Sequence, residues 1–413
     1  SNNSFVLAAV GSAIGLGNFW RFPYLSYKYG GAVFFIPYLM CLFLIGIPMM
    51  LLELSMGQKF QRGDIGVFRG IHPRLAGIGL ASVITAYCIS FYYQVIIAWA
   101  VIYFFSSFKN PLPWSISNTE APLHSYKDCN DLYITEEFFF KDLLRIIDAN
   151  CKDFNTSDFI AGADDQPSEF SWQAYLSALL VWVIVFFCVF KGVKSSSYVV
   201  YFTVPLPVFF IFLLVLKGLT LPNASAGIRM YLQGEDPATG ELPVVSEVLG
   251  NTAIWADACA QIFFSLGVCM GVMTSYASYN PRDKPIIKNA FVISLGNCSL
   301  SFFAGFAVFS VVGYLNGLGH PVAARTSSTG LAFIAYPAAI ETLPGANFWS
   351  ILLSLTLFML GIDSAFSFVE AASTVIYDTP SGKKSPRMLT ALILCSFGAI
   401  MSLIFCFNWG FTF

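Results

Sequence analysis

Charge is what this sequence has least of. Only 11% of its 413 residues are Asp, Glu, Lys or Arg, against about 25% in a soluble domain. Hydrophobic residues make up 56%, and the mean hydropathy is +0.68. Such a composition excludes a water-soluble globular chain and describes one built for lipid. The formal net charge of −2 offers neither a basic footprint for nucleic acid nor an acidic excess for a cationic partner. Histidine is rarer still: His72, His124 and His320 all fall in predicted loops. Without His/Cys metal spacing, and without a nucleophile set beside a base, nothing points to an enzyme. No cleavable signal peptide is read ahead of the first apolar run; the chain is expected to begin where a cytoplasmic tail has been trimmed.

What is present is a series of apolar windows. Crossing about 30 Å of hydrocarbon takes about 20 residues. Windows of that kind fall near 4–27, 33–56, 78–107, 171–190, 197–217, 250–278, 287–315, 346–376 and 388–407. Lys and Arg concentrate in alternate connections, which gives the orientation. They are Lys59, Arg62, Arg69 and Arg74, then Lys191 and Lys194, then Arg282, Lys284 and Lys288, then Lys383, Lys384 and Arg387. All four connections share one side only if all nine windows cross, with the N-terminus cytoplasmic. The chain 1–413 therefore reads as a single transmembrane domain.

The polar loop 110–170 is then extracellular, and its Asn155-Thr156-Ser157 is a glycosylation sequon. Asn223-Ala224-Ser225 is a second outside sequon, set close to the membrane. Cys129 and Cys151 share the long loop; in an oxidising medium they could form a disulfide, free thiols being the alternative. Cys41, Cys88, Cys188, Cys259, Cys269, Cys298, Cys395 and Cys406 lie in apolar runs and are expected to be small buried hydrophobes.

The first window carries Gly11-Ser12-Ala13-Ile14-Gly15-Leu16-Gly17-Asn18-Phe19-Trp20-Arg21-Phe22-Pro23. Gly costs about 1 kcal/mol against Ala inside a helix, and Pro about 3. In hydrocarbon every freed N–H and C=O must also find a partner. A helix broken here is tolerable where its loose backbone lines a cavity and binds something. Gly11-x-x-x-Gly15 taken alone would read as a helix-packing motif. The sixth window repeats the pattern in Gln261-Ile262-Phe263-Phe264-Ser265-Leu266-Gly267-Val268-Cys269-Met270-Gly271. Interrupted segments at matching places in two halves point to a transporter site, with a five-helix unit repeated in inverted topology. Half-helix N-termini suit a carboxylate; half-helix C-termini and unwound carbonyls suit Na⁺.

Other polar residues interrupt apolar runs. Asp363-Ser364 follows Leu360-Gly361-Ile362, and a carboxylate at that depth costs roughly 2.5–3.5 kcal/mol unless paired with a cation. Asn297 and Ser301 lie one turn apart on one helix face. Glu53 and Glu370 are further intramembrane acids. For Glu53, accepting N–H groups from an unwound segment is preferred over ion binding. Tyr92-Tyr93 would ordinarily be aromatic packing, although a buried hydroxyl needs a partner.

With Gly30-Gly31 through Pro37-Tyr38, Gly46-Ile47-Pro48, Glu53-Leu54-Ser55-Met56-Gly57-Gln58, Pro113-Trp114 and Tyr276-Ala277-Ser278-Tyr279-Asn280, these stretches resemble one family along nearly the whole chain. It is the sodium- and chloride-dependent neurotransmitter and amino-acid symporters. The resemblance implies an all-α polytopic membrane protein of five-plus-five inverted-repeat fold, with helices 1 and 6 broken. That family has twelve spans, so this sequence is expected to be a fragment ending after about nine.

Carried over by resemblance, a first sodium site would use Ala13, Asn18, Ser265, Asn297 and the substrate carboxylate. A second would use Gly11, Ile14, Leu360, Asp363 and Ser364. Chloride would lie among Tyr38, Gln261, Ser265 and Ser301; some bacterial members carry a glutamate where Ser301 stands and need no chloride. The substrate carboxylate would meet Leu16, Gly17 and Tyr93, and the amine Ala13, Phe264 and Ser265. Ile89, Phe264, Gly267, Met270, Ser364 and Phe368 would line the side-chain pocket. Monoamine members have an aspartate where Gly15 stands, so Gly15 implies a substrate bringing its own carboxylate. Arg21 would belong to an outer gate, and Ser278, Tyr279, Glu370 and Asp378 to an inner one.

The expected function is plasma-membrane symport of a neutral amino acid, driven by Na⁺ at two sites and Cl⁻. A GABA, β-amino-acid or glycine symporter is the near alternative. A transport-incompetent receptor or scaffold, and a channel, are the more distant ones.

Overall fold

Helices account for almost every ordered element because apolar runs of this length must satisfy their own backbone hydrogen bonds in lipid. The computed structural model describes residues 2–115, 134–145, 169–192, 199–235, 240–319, 328–379 and 382–407. Cys129, Cys151 and Asn155 lie outside the described residues.

The first window holds α1 (Asn2–Ala13), α2 (Leu16–Phe19) and α3 (Arg21–Lys28). At their joint Gly15 is extended, with φ −130° and ψ −174°, and the two halves are bent by 56°. Next come α4 (Phe35–Cys41), a π-helical turn at Leu42–Gly46 and α5 (Ile47–Phe60). Pro48, in the first turn of α5, has no N–H to donate. Short α6 (Asp64–Ile71) leads to α7 (Ala76–Ser106). Beyond these lie α8 (Trp172–Val189), α9 (Pro205–Leu219) and α10 (Ala224–Gln233).

The sixth window contains two pieces, α11 (Thr252–Leu266) and α12 (Val272–Ser278). Between them Gly267, Cys269 and Gly271 all adopt positive φ (63°, 64° and 70°). Three left-handed residues in five cannot continue a right-handed helix. The longer helices that follow include α13 (Ile286–Gly317), α14 (Tyr336–Glu341), α15 (Ala346–Tyr377) and α16 (Arg387–Ser402).

Among the described residues seven helical stretches are long and apolar enough to cross a membrane, and eight if the bent pair counts as one. The window 250–278 is the exception, because its break leaves α11 and α12 each too short alone. Among the described residues there is no strand, only an isolated bridge between Phe170 and Phe407. The chain is an all-α polytopic membrane protein.

Interior and lipid-facing helices are easily separated. α7, α13 and α15 are buried along most of their length. α8, α9 and α16 turn Leu176, Phe187, Phe209, Phe212, Ile393 and Ile400 outward. In water such side chains would be a liability; against acyl chains they are at home. Cys88 and Cys269 depart from the sequence expectation, since both are exposed whereas Cys41, Cys188, Cys298, Cys395 and Cys406 are buried. An apolar run in lipid has an outer face, where Cys88 of α7 sits, and Cys269 belongs to the unwound turn. Where α10 crosses α13 the backbones nearly touch: a Cβ on Gly227 would lie 1.8 Å from the Phe309 carbonyl oxygen. That is the small-residue contact by which membrane helices pack.

Candidate functional site

α1 ends at Ala13 because two glycines follow within four residues, and what its backbone loses a side chain supplies. Asn18 Oδ1 accepts the Gly15 N–H at 2.9 Å. The Asn18 amide then donates to Asn297 Oδ1 at 2.7 Å, to Ser301 Oγ at 2.7 Å and to the Asn297 carbonyl at 3.2 Å. Asn297 Nδ2 donates to Ser265 Oγ at 2.8 Å. Residues from α2, α11 and α13 thus converge on one polar cluster, none of whose four side chains exceeds 5% exposure. Beside it, Gln261 Nε2 reaches the Gly17 carbonyl at 3.4 Å, while Gln261 Oε1 is buried with no partner. The Tyr38 hydroxyl donates to Cys298 Sγ at 3.1 Å and faces Ser301.

A second cluster forms where α1 meets α15. A Cβ on Gly11 would lie 2.9 Å from Asp363 Oδ2, so the carboxylate rests directly on that backbone. Asp363 Oδ1 is buried without a hydrogen-bond partner, and Thr203 faces the same group. Ser364 Oγ donates to the Ser12 carbonyl at 3.1 Å. A Cβ on Gly15 would meet Ser364 Oγ at 3.0 Å, the Tyr93 hydroxyl at 3.3 Å and the Leu360 carbonyl at 4.0 Å. Tyr93 also interacts with the Leu16 backbone, and its ring meets Phe368 edge-on at 5.8 Å. A Cβ on Gly17 would lie 3.7 Å from the Phe264 ring. Around Gly267 a Cβ would meet nothing within 4 Å, and Ile89 and Met270 are half-buried.

The donor sets suit the ions expected. An unpartnered buried carboxylate oxygen beside a glycine backbone and a hydroxyl is a hard, anionic oxygen site, and such a charge needs a cation. Gly11, Leu360, Asp363 and Ser364 would hold one sodium ion, together with Ile14. Asn18, Ser265, Asn297 and the Ala13 carbonyl would supply neutral oxygens to another. Tyr38, Gln261 and Ser301 are hydrogen-bond donors of the kind an anion requires.

Outer and inner groups take places the sequence did not fully anticipate. The Arg21 guanidinium stacks over Phe264 at 5.6 Å, in the field of Asp257. Asp257 accepts from Lys28 at 2.9 Å and from the Tyr29 hydroxyl at 2.6 Å. None of these three was singled out from the sequence, although Asp257 is one turn before Gln261 and interrupts an apolar run as Asp363 does. On the other side, the Tyr279 hydroxyl lies 3.4 Å from Thr374 Oγ1, and Asp378 accepts the Gly63 N–H at 2.6 Å. Ser278 bonds within its own helix, to the Ser275 carbonyl at 2.7 Å, and Glu370 is buried on α15. Glu53 accepts the N–H of Cys269, as the unwound stretch requires.

Two broken helices thus face one another inside a polytopic membrane bundle, with buried oxygens around their joints. The chain matches the Sodium:neurotransmitter symporter family over residues 1–413 and belongs to it. It is 39% identical over 418 residues to the sodium- and chloride-dependent taurine transporter of Canis lupus familiaris, covering 98% of this chain and 64% of that protein. It is 38% identical over 409 residues to the sodium- and chloride-dependent GABA transporter 2 of Rattus norvegicus, covering 97% and 65%. The human sodium- and chloride-dependent taurine transporter is likewise 38% identical, with coverage of 98% and 64%. The chain thus spans a little under two thirds of the length of these relatives.

Proposed function

We propose that the whole protein is a plasma-membrane symporter of a neutral amino acid, coupled to two sodium ions and dependent on chloride. Its N-terminus would be cytoplasmic and the loop 110–170 extracellular. The observation that carries the reading is the Asp363 carboxylate, buried with one oxygen unpartnered and the other against the backbone of Gly11, close to the break of the first helix. An ion there joins α1 to α15. Its loss to a low-sodium cytoplasm would release the inner half-helix, while Phe264 and Tyr93 close the outer side. Each positive charge carried inward gains about 2.3 kcal/mol per 100 mV. The breaks in the first and sixth windows are read as the equivalent joints of an inverted repeat.

Gly15 supports a substrate with its own carboxylate. The space a side chain there would occupy is closed by Ser364 and Tyr93, leaving backbone N–H groups of α2 and a hydroxyl for the ligand. The pocket residues carry no formal charge, which supports a neutral side chain. An ω-amino acid or taurine is the second reading, supported by what the taurine and GABA relatives are named for. A competition panel against sodium-driven uptake by the full-length protein separates the two. Neutral α-amino acids are expected to compete more strongly than taurine, β-alanine or GABA. The reverse order would favour the second reading, and no sodium-driven accumulation of any of them would overturn symport.

Chloride dependence is inferred from Ser301, whose hydroxyl stands in the Asn18–Asn297 cluster without bringing a negative charge. An anion bound there would balance the adjacent sodium. Replacing chloride by gluconate should abolish most uptake, and Ser301→Glu should make the remainder insensitive to chloride. Uptake unchanged in gluconate would remove the chloride site.

A further inference from the structure

The unwound turn of the sixth window touches a second carboxylate besides Glu53. Asp64, the first residue of α6, is only 4% exposed although it belongs to a connection rich in Lys and Arg. Its Oδ2 accepts from Ser82 Oγ at 2.5 Å and lies 2.9 Å from where a Cβ on Gly271 would be. Glu53, 5% exposed, reaches the same turn two residues earlier, at the Cys269 N–H. The two carboxylates are near enough to repel. Each keeps one buried oxygen unpartnered, Glu53 Oε2 and Asp64 Oδ1. Thr274 Oγ1, on the fully buried first turn of α12, also has no partner and faces Asp64.

The other titratable and charged groups around the pair bring no neutralising partner. The Cys269 thiol feels both carboxylates. Asp378 is bonded to the Gly63 N–H, and the carbons of Arg62 abut Gly66 on the far side of α6. Among the described residues no Lys, Arg or His forms an ion pair with Glu53 or Asp64. Two buried like charges reaching one turn cannot both persist unpaired. Hard metal cations collect about six oxygens, whereas the free set here is Glu53 Oε2, Asp64 Oδ1 and Thr274 Oγ1. A proton needs only two.

We propose that Glu53 and Asp64 form a coupled proton-binding carboxylate pair, which together hold one proton beside the unwound turn 267–271. With the proton in place, the pair anchors α5 and α6 to that turn. Its departure toward the α6 side leaves two anions that repel each other, driving α5 and α6 apart where both hold the turn. In the transport reading this makes the mobility of the inner half of the sixth segment depend on pH, a consequence that rests on that reading; the pair itself does not. Burial shifts the Asp64 carboxyl upward from its ordinary value, in keeping with a bound proton.

The test is infrared difference spectroscopy on the purified full-length protein, titrated from about pH 5 to about pH 9 to bracket ordinary and buried carboxyls. The wild type should show a carboxylic-acid band that Glu53→Gln/Asp64→Asn removes and that titrates late, because its loss creates two adjacent charges. In Asp64→Asn the remaining carboxyl should titrate lower by about one pH unit or more. Asp64→Glu, which keeps both acids, should retain the late titration and show that the site tolerates replacement. A band whose midpoint is the same in Asp64→Asn as in the wild type, or no band lost in the double variant, overturns the pair. Sodium-driven uptake measured on the same preparations keeps the two claims apart: uptake can fail with the band intact, and the band can fail with uptake intact.

Discussion

Asp363→Asn is expected to remove sodium dependence from the second cation site while leaving the fold standing. The change is nearly isosteric and takes away a buried charge whose Oδ1 has no protein partner, so the ion-free protein should lose no stability. What it loses is the anionic oxygen that sodium needs beside Gly11, Leu360 and Ser364. Removing even an outer-shell partner costs a metal site about 10–100-fold in affinity or activity, so a direct ligand should cost no less. Sodium-driven uptake by the full-length variant should fall by at least about 10-fold. Sodium should also raise its melting temperature less than it does for the wild type, because stabilisation by a ligand follows its affinity. Full uptake with unchanged sodium stabilisation would remove Asp363 from the site.

The second large effect is expected far from the ions. In Gly227→Ala the new methyl would meet the Phe309 carbonyl oxygen at 1.8 Å and the Gly313 nitrogen at 2.8 Å. Both are backbone, so neither can rotate aside and the helices must separate. Overpacking of this kind costs about 1–3 kcal/mol, and a backbone neighbour places it at the upper end. Gly296→Ala on the same α13 is the control. A Cβ there meets nothing within 4 Å, because the position lines an apolar cavity of about 690 Å³ between α4, α9 and α13. That change should be neutral or stabilising by up to about 1 kcal/mol through helix propensity. Melting temperatures in detergent check both; equal behaviour of the two variants would contradict the close-contact account.

How legible each feature was follows from what it costs in lipid. Glycines, Asn18 and Asp363 stand out in an apolar run because hydrocarbon penalises them, so the two breaks and the buried carboxylate at Asp363 can be located before any coordinates. Thr203 gives no such signal. Its hydroxyl bonds the Val199 carbonyl at 3.1 Å, as many membrane threonines do, and only the packing of the span Val199–Leu219 places it against Asp363. Asp64 misleads in the opposite direction: in a charged connection it reads as solvated, yet α6 folds back under α7 and buries it. Cys298 and Asp257 acquire roles only from what faces them, Tyr38 and the Lys28–Tyr29 pair.

Beneath all of this lies one requirement, that backbone freed inside the bilayer be repaid by bound cations. Equilibrium binding of radiolabelled sodium to the purified full-length protein measures it directly. Two ions per protein are expected in the wild type and one in Asp363→Asn. Binding of no sodium by the wild type, or equal binding by both proteins, would contradict the assignment of the Gly11–Asp363 joint as a cation site.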